Sequence, residues 1–114
     1  MTHYMKLHAD PFERISSGAK TLELRLYDEK RRAVKPGDCI VFSPENDCER
    51  TVKVKVKALH RFASFKELYS SVDLSALGYA ENEISPESYT EMDAYYPAEK
   101  QSLCGVVGIE IEKV

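Results

Sequence analysis

Lys20, Glu23 and Arg25 fall within the stretch Gly18-Ala19-Lys20-Thr21-Leu22-Glu23-Leu24-Arg25. An ammonium, a carboxylate and a guanidinium this close together can offer an anionic or carbonyl ligand two cations and one acceptor. Leu22, Leu24 and Leu26 alternate with Thr21, Glu23, Arg25 and Tyr27, the period of a half-buried strand. On that pattern the leucines enter a core, while Glu23 and Arg25 lie beside each other on the opposite face. Lys20 shares the leucine parity but sits where the chain leaves a glycine turn, so parity alone does not fix its direction. The residues by themselves leave two readings open: a ligand site, or an ordinary surface ion pair that stabilises little.

Other candidates for chemistry are sparser. His3, His8 and His60 are scattered, and no Cys or His pair has the spacing of a structural zinc site. The chain has neither a glycine-rich phosphate loop nor a Gly-x-Ser-x-Gly elbow. No metal or other cofactor is implied. The carboxylates of Glu81-Asn82-Glu83 read most simply as negative charge placed before a helix N-terminus. Tyr95-Tyr96 reads as packing at a helix end, although tyrosines also stack on nucleobases when they line a suitable cleft.

The elements that must position these residues belong to a small chain. With 114 residues, 43% of them hydrophobic, it forms one domain over 1–114 with a modest core. A formal net charge of −3 argues against non-specific coating of nucleic acid, which depends on phosphate neutralisation. A small ligand or a short, locally contacted RNA is compatible with it. No apolar run is long enough to cross a bilayer, and Met1 to Lys6 lacks the apolar core of a signal peptide. Cys39, Cys48 and Cys104 are odd in number and widely spaced, which fits reduced thiols in a cytoplasm.

Tyr4 to Leu7 predicts a first strand. Asp10-Pro11-Phe12-Glu13 predicts a helix with Asp10 as N-cap and Glu13 completing a capping box, with Gly18 as its C-cap. The Lys20–Tyr27 strand follows, then the basic segment Lys30-Arg31-Arg32. Lys35-Pro36-Gly37-Asp38 has the residues of a type II turn and leads into Cys39-Ile40-Val41-Phe42, an apolar run suited to a strand buried on both sides. From Arg50 to Leu59, Val52, Val54 and Val56 alternate with Lys53, Lys55 and Lys57. The valines point inward, and the lysine row reads better as protection of an exposed strand than as a track for RNA phosphates. Ser64 to Glu67 is a second capping box, Ser85-Pro86 opens a third helix that Pro97 ends, and Val106 to Ile111 is a closing strand. About five strands with short helices, in no regular alternation, predict an α+β, mainly β domain. Its sheet is a small mixed-to-antiparallel barrel with peripheral helices.

Gly18-x-Lys20-x-x-Glu23-x-Arg25 resembles the G-x-K-x-x-E-x-R signature of the ASCH domain, a branch of the PUA-like β-barrel superfamily. Three further features agree in order: the Lys35-Pro36-Gly37-Asp38 turn, Tyr95-Tyr96-Pro97, and the closing Gly105 to Ile111. The resemblance therefore extends over nearly the whole chain. It implies an open barrel whose cleft, lined by Lys20, Glu23, Arg25 and Tyr96, binds RNA or a nucleotide, with a cytidine-like base as the expected ligand. One branch of the family hydrolyses the amide of N4-acetylcytidine. Against that branch, Lys20 matches the catalytic lysine and Glu81 the catalytic glutamate, while Glu23 stands where the branch has a threonine. A carboxylate cannot replace that hydroxyl as nucleophile, though it can orient Lys20 or activate a water. The alternative to a binding protein is thus an amidohydrolase using Lys20, Glu23 and Glu81.

Overall fold

The computed structural model describes residues 1–47 and 49–114. Five strands build one sheet: β1 (Thr2–Leu7), β2 (Leu22–Leu26), β3 (Cys39–Pro44), β4 (Val52–Phe62) and β5 (Val106–Lys113). Their order is β1-β3-β4-β5-β2, with β1 parallel to β3 and every other neighbour antiparallel. The sheet curls into a half-barrel, so β1 and β2 are its edges and face each other across an open seam. Among the described residues five short α-helices surround it: α1 (Ala9–Ser17), α2 (Glu29–Arg32), α3 (Phe65–Ser71), α4 (Tyr89–Tyr95) and α5 (Ala98–Cys104). This is the small α+β, mainly β architecture that the sequence predicts.

Two cores lie on opposite faces of the sheet. On the inner face Ile40, Phe42, Val52, Val54, Val56, Val107 and Ile109 pack with Phe12 and Ile15 of α1, as their alternation predicts. On the outer face Leu22, Leu24 and Val106 are covered by Phe65, Leu68 and Tyr69 of α3. Gly108 lets Leu22 lie flat on β5, since a Cβ there would come within 3.2 Å of the leucine side chain.

Several local signals act as the sequence implies. Gly18 ends α1 at φ 85° and donates its N–H to the Ile15 carbonyl. The Lys35–Asp38 turn closes through Asp38 N–H to the Lys35 carbonyl at 3.0 Å. The Ser64 hydroxyl accepts from Glu67 N–H at 3.3 Å. Others differ. Helix α1 starts earlier, with His8 as its N-cap and no side-chain cap, which leaves Asp10 in the first turn. The Ser85-Pro86 signal starts a 3-10 turn (Pro86–Ser88) that leads into α4. Helices α2 and α5 are additions. Asp28 caps the former, and Pro97 both ends α4 and begins the latter, because a fixed φ suits a first helical position as well as a stop.

Two burial expectations need correction. β3 is not buried on both faces: Ile40 and Phe42 are buried, whereas Cys39 and Val41 are half-buried on the outer side. The lysine row does not guard a sheet edge either. β4 is an interior strand, hydrogen-bonded on both sides, and Lys53, Lys55 and Lys57 project from its outer face into solvent. Cys39 and Cys104 are free thiols, and the reading of Cys48 lies outside the described residues. Among the described residues no helix is long and apolar enough to cross a membrane.

Candidate functional site

The strand that carries the charged signature is anchored at its start. Lys20 N–H donates to the Arg14 carbonyl at 3.0 Å and Thr21 N–H to the Ala76 carbonyl at 2.8 Å. Gly78 makes room for this arrangement. Its φ is +87°, and a Cβ there would meet Lys20 Cβ at 3.0 Å and Arg14 Cδ at 3.1 Å. Lys20 is thereby turned out of its strand parity and towards Glu23.

Along β2, Glu23 pairs with Ile109 and Arg25 with Val107 of β5. Residues paired across antiparallel strands share a face, so both charged side chains point into the half-barrel, beside the inner core. Glu23 is only 3% exposed. Its Oε1 receives Lys20 Nζ at 3.0 Å and Leu24 N–H at 3.2 Å. Its Oε2 receives Arg25 Nε at 3.0 Å and lies 2.9 Å from Arg25 Nη2. A carboxylate has about four lone-pair sites, and this one has used them all. Burial pushes the Glu23 carboxyl up, but the charges of Lys20 and then Arg25, with their hydrogen bonds, outweigh it and hold the group below its ordinary value. Glu23 is therefore a fixed anion and a poor proton acceptor at neutral pH. Lys20 and Arg25 keep donors to spare, and their side chains are 12% and 14% exposed.

Arg25 also spans the open seam. Its Nη2 donates to the Lys6 carbonyl at 2.8 Å, on the unpaired edge of β1. The seam widens there into a cavity of about 620 Å³ lined by Lys20, Glu23 and Arg25 together with Tyr69, Tyr79, Tyr95 and Tyr96. The same cavity holds Arg14, His8, Glu45 and Glu91. Tyr96 is half-buried and tilts against Phe65 at 5.5 Å between ring centroids, whereas Tyr95 is exposed and beside the His8 ring at 5.8 Å. Arg14 lies over one face of Tyr79, 4.1 Å from its centroid. Burial, with Tyr79 and Glu91 nearby, pushes the Tyr69 hydroxyl up to about 12, so it stays a neutral hydrogen-bonding group.

The structure thus brings Lys20, Glu23, Arg25 and Tyr96 to one concave surface. Glu81 does not join them: it is exposed at the start of a 3-10 turn (Glu81–Glu83) and does not line the cavity. Glu91 is the carboxylate that this part of the chain contributes. Sequence reasoning missed Arg14, Tyr69, Tyr79, Glu91 and Gly78, and it missed Gln101. The buried Gln101 amide accepts from Phe65 N–H at 3.0 Å and donates to Asp93 Oδ1 and the Tyr96 carbonyl, both at 2.8 Å. It fixes α4 and Tyr96 against α3. A glutamine on a short helix next to proline gives no local sign of such a role.

A second hollow of similar volume, about 620 Å³, borders Lys57, His60, Glu110 and Glu112. Across β4 and β5, Lys57 lies 3.8 Å from Glu112 and His60 3.3 Å from Glu110, all four exposed, and Lys20 borders this hollow as well as the seam cavity. Among the described residues no group of His, Cys, Asp and Glu side chains is arranged to hold a metal ion.

Comparison with known proteins places this geometry. The ASCH domain pattern matches residues 5–114. The crystal structure of hypothetical protein PH0355 superposes with a TM-score of 0.82 at 38% identity, covering 100% of both chains. The solution structure of PF0455 from Pyrococcus furiosus gives a TM-score of 0.70 at 37% identity, covering 100% of this chain and 98% of that one. ASCH from Zymomonas mobilis, 16% identical, shares the fold with a TM-score of 0.64 over 97% of this chain and 66% of its own. No curated protein matches the sequence. Through the match over residues 5–114, the chain belongs to the ASCH domain family.

Proposed function

We propose that this protein, acting as one domain over 1–114, binds a cytidine-like nucleoside or a short RNA in the cavity at the β1–β2 seam. The observation that carries the reading is the buried Glu23 carboxylate clamped between Lys20 and Arg25. Holding an ion pair in a nearly dry place is costly unless its members are well bonded, and here the cations retain unused donors that face a cavity. In this reading Glu23 is a positioning residue. Lys20 and Arg25 donate to base carbonyl or phosphate oxygens, and Tyr96, with the more exposed Tyr95, offers a ring for base stacking.

A second reading is amide hydrolysis of an acylated nucleoside such as N4-acetylcytidine. It draws on Lys20 and Glu91, an amine and a carboxylate, lining one cavity. The lowered Glu23 carboxyl and its filled lone pairs make Glu23 a weak base, and Glu81 lies away from the cavity, so binding is the better-supported function.

Titration calorimetry with cytidine and N4-acetylcytidine tests both. Lys20→Ala and Arg25→Ala should each weaken binding roughly ten- to a hundredfold, since a charge-assisted contact contributes about 1.5–3 kcal/mol. Lys53→Ala should leave it unchanged. Binding that depends on Lys53, Lys55 and Lys57 instead would overturn the assignment of the cavity. Release of acetate and cytidine from N4-acetylcytidine, abolished by Lys20→Ala, would make the protein an amidohydrolase.

A further inference from the structure

We propose a second ligand site, for a phosphate group of a nucleic-acid strand, at the end of the half-barrel around Tyr27, Arg32 and Arg61. It rests on the reading of the seam cavity as a base site and extends it. The ligand becomes a strand of two or more nucleotides, one base in the cavity and a neighbouring phosphate at this second place.

The sheet register puts the two places next to each other. Arg61 of β4 and Arg25 of β2 both pair with Val107 of β5, from opposite sides. All three side chains therefore share the inner face, and the backbones of the two arginines stand about 10 Å apart, two strand spacings. Tyr27 continues β2, donating its N–H to the Gly105 carbonyl at 2.9 Å, and packs against the inner core. It lies two residues past Arg25, about 7 Å along the strand on the same face. Arg32 reaches in from α2, its Nε donating to the Tyr27 carbonyl at 3.1 Å. The guanidinium carbons of Arg32 and Arg61 lie 5.3 and 5.2 Å from the Tyr27 ring centroid.

Two cations are thus gathered at one ring. The ring attracts each of them but does not neutralise either. Among the described residues neither arginine has a carboxylate within ion-pair distance. By contrast Arg31 pairs with Asp28 at 3.1 Å and Arg50 with Glu13 at 2.7 Å. Glu67 borders the same hollow, of about 640 Å³, and its Oε2 accepts from Ala63 N–H at 3.1 Å. Forked guanidinium donors without an anion, beside an aromatic ring, match the needs of a phosphate joined to a base. The chain as a whole is acidic, with net charge −3, so this local excess is not a by-product of basic composition.

The test compares a fluorescent cytidine tetraribonucleotide with free cytidine, on wild type, Lys20→Ala and the double variant R32Q/R61Q. The double variant should bind the tetranucleotide at least tenfold more weakly. The slope of log affinity against log salt should become shallower by about 0.7, the contribution of one single-strand phosphate contact. Cytidine affinity should not change. On the intact wild-type protein, amide resonances of Tyr27, Ala63 and Gly105 should shift with the tetranucleotide and stay in place with cytidine. Unchanged affinity and slope in the double variant, with those amides silent, would overturn the phosphate site while cytidine binding still judges the cavity. Tetranucleotide binding that needs Arg32 and Arg61 but ignores Lys20→Ala would keep the phosphate site and overturn the cavity reading. Inorganic polyphosphate bound as tightly as the tetranucleotide would overturn the nucleic-acid assignment.

Discussion

On β2, Glu23 and Arg25 alternate with leucines; on β4, Lys53, Lys55 and Lys57 alternate with valines. The two patterns have the same period and both alternate aliphatic with charged residues, yet Glu23 is buried and the lysines are in water. The difference lies in what covers each face. The outer face of β2 meets α3, which absorbs Leu22 and Leu24, so its charged face has only the half-barrel interior to point into. The outer face of β4 between Val52 and Val56 is exposed, so its valines take the interior and its lysines the solvent. Alternation tells which side chains share a face; it does not tell which face is wet.

That contrast is sharpest in stability. Glu23→Ala would leave Lys20 and Arg25 facing each other in a sparsely solvated place, and breaking a buried pair from one side costs about 3–5 kcal/mol. Lys55→Ala, by comparison, should change unfolding free energy by less than about 0.5 kcal/mol, as exposed substitutions do. Urea denaturation of both variants measures the gap, and equal effects would mean that the Glu23 cluster is solvated after all.

Acid titration acts on the same cluster without a mutation. Because the folded protein holds the Glu23 carboxyl below its ordinary 4.5, the native state binds the proton less readily than the unfolded chain. The cluster's contribution is thus fully present above about pH 5 and is lost as pH falls through 4.5 towards the folded value. Thermal unfolding followed from pH 7 to pH 3 should show this decline, and Glu23→Gln should flatten that part of it. A Glu23→Gln profile as steep as wild type would assign the acid sensitivity to Asp38 or Asp73, whose carboxyls are also held low, by His3 and by Ser75.

A smaller effect isolates the turn behind the cluster. Gly78→Ala should cost about 1–2 kcal/mol from its left-handed backbone alone. The added methyl would also press on Lys20 Cβ, 3.0 Å away. Weakened cytidine binding alongside that loss would show that Gly78 positions Lys20. Lost stability with unchanged binding would limit it to the backbone.

Much of the fold was legible in the residues. The Val52–Val56 alternation, the Lys35–Asp38 turn, the Gly18 stop and the Ser64 cap are local signals, set by side-chain parity, backbone freedom and hydrogen bonds a few residues long, and the structure keeps them. The short helices α2 and α5 were less legible because a four- or seven-residue helix owes its existence to packing more than to propensity.

The candidate site divides in the same way. The sequence alone determined that Lys20, Glu23 and Arg25 lie near one another, because they occupy one turn and the strand that follows it. Tertiary structure decided that Glu23 would be buried, since that required α3 to occupy the other face of β2. It also decided which carboxylate of the segment from Glu81 to Glu91 would line the cavity, Glu91 rather than Glu81, through the path of the 3-10 turns before α4. The meeting of Arg25 and Arg61 on either side of Val107 is likewise a matter of strand register, set by pairing between residues far apart in the chain. Local spacing fixes neighbours within an element; only the packing of elements fixes which faces close over them and which distant charges they meet.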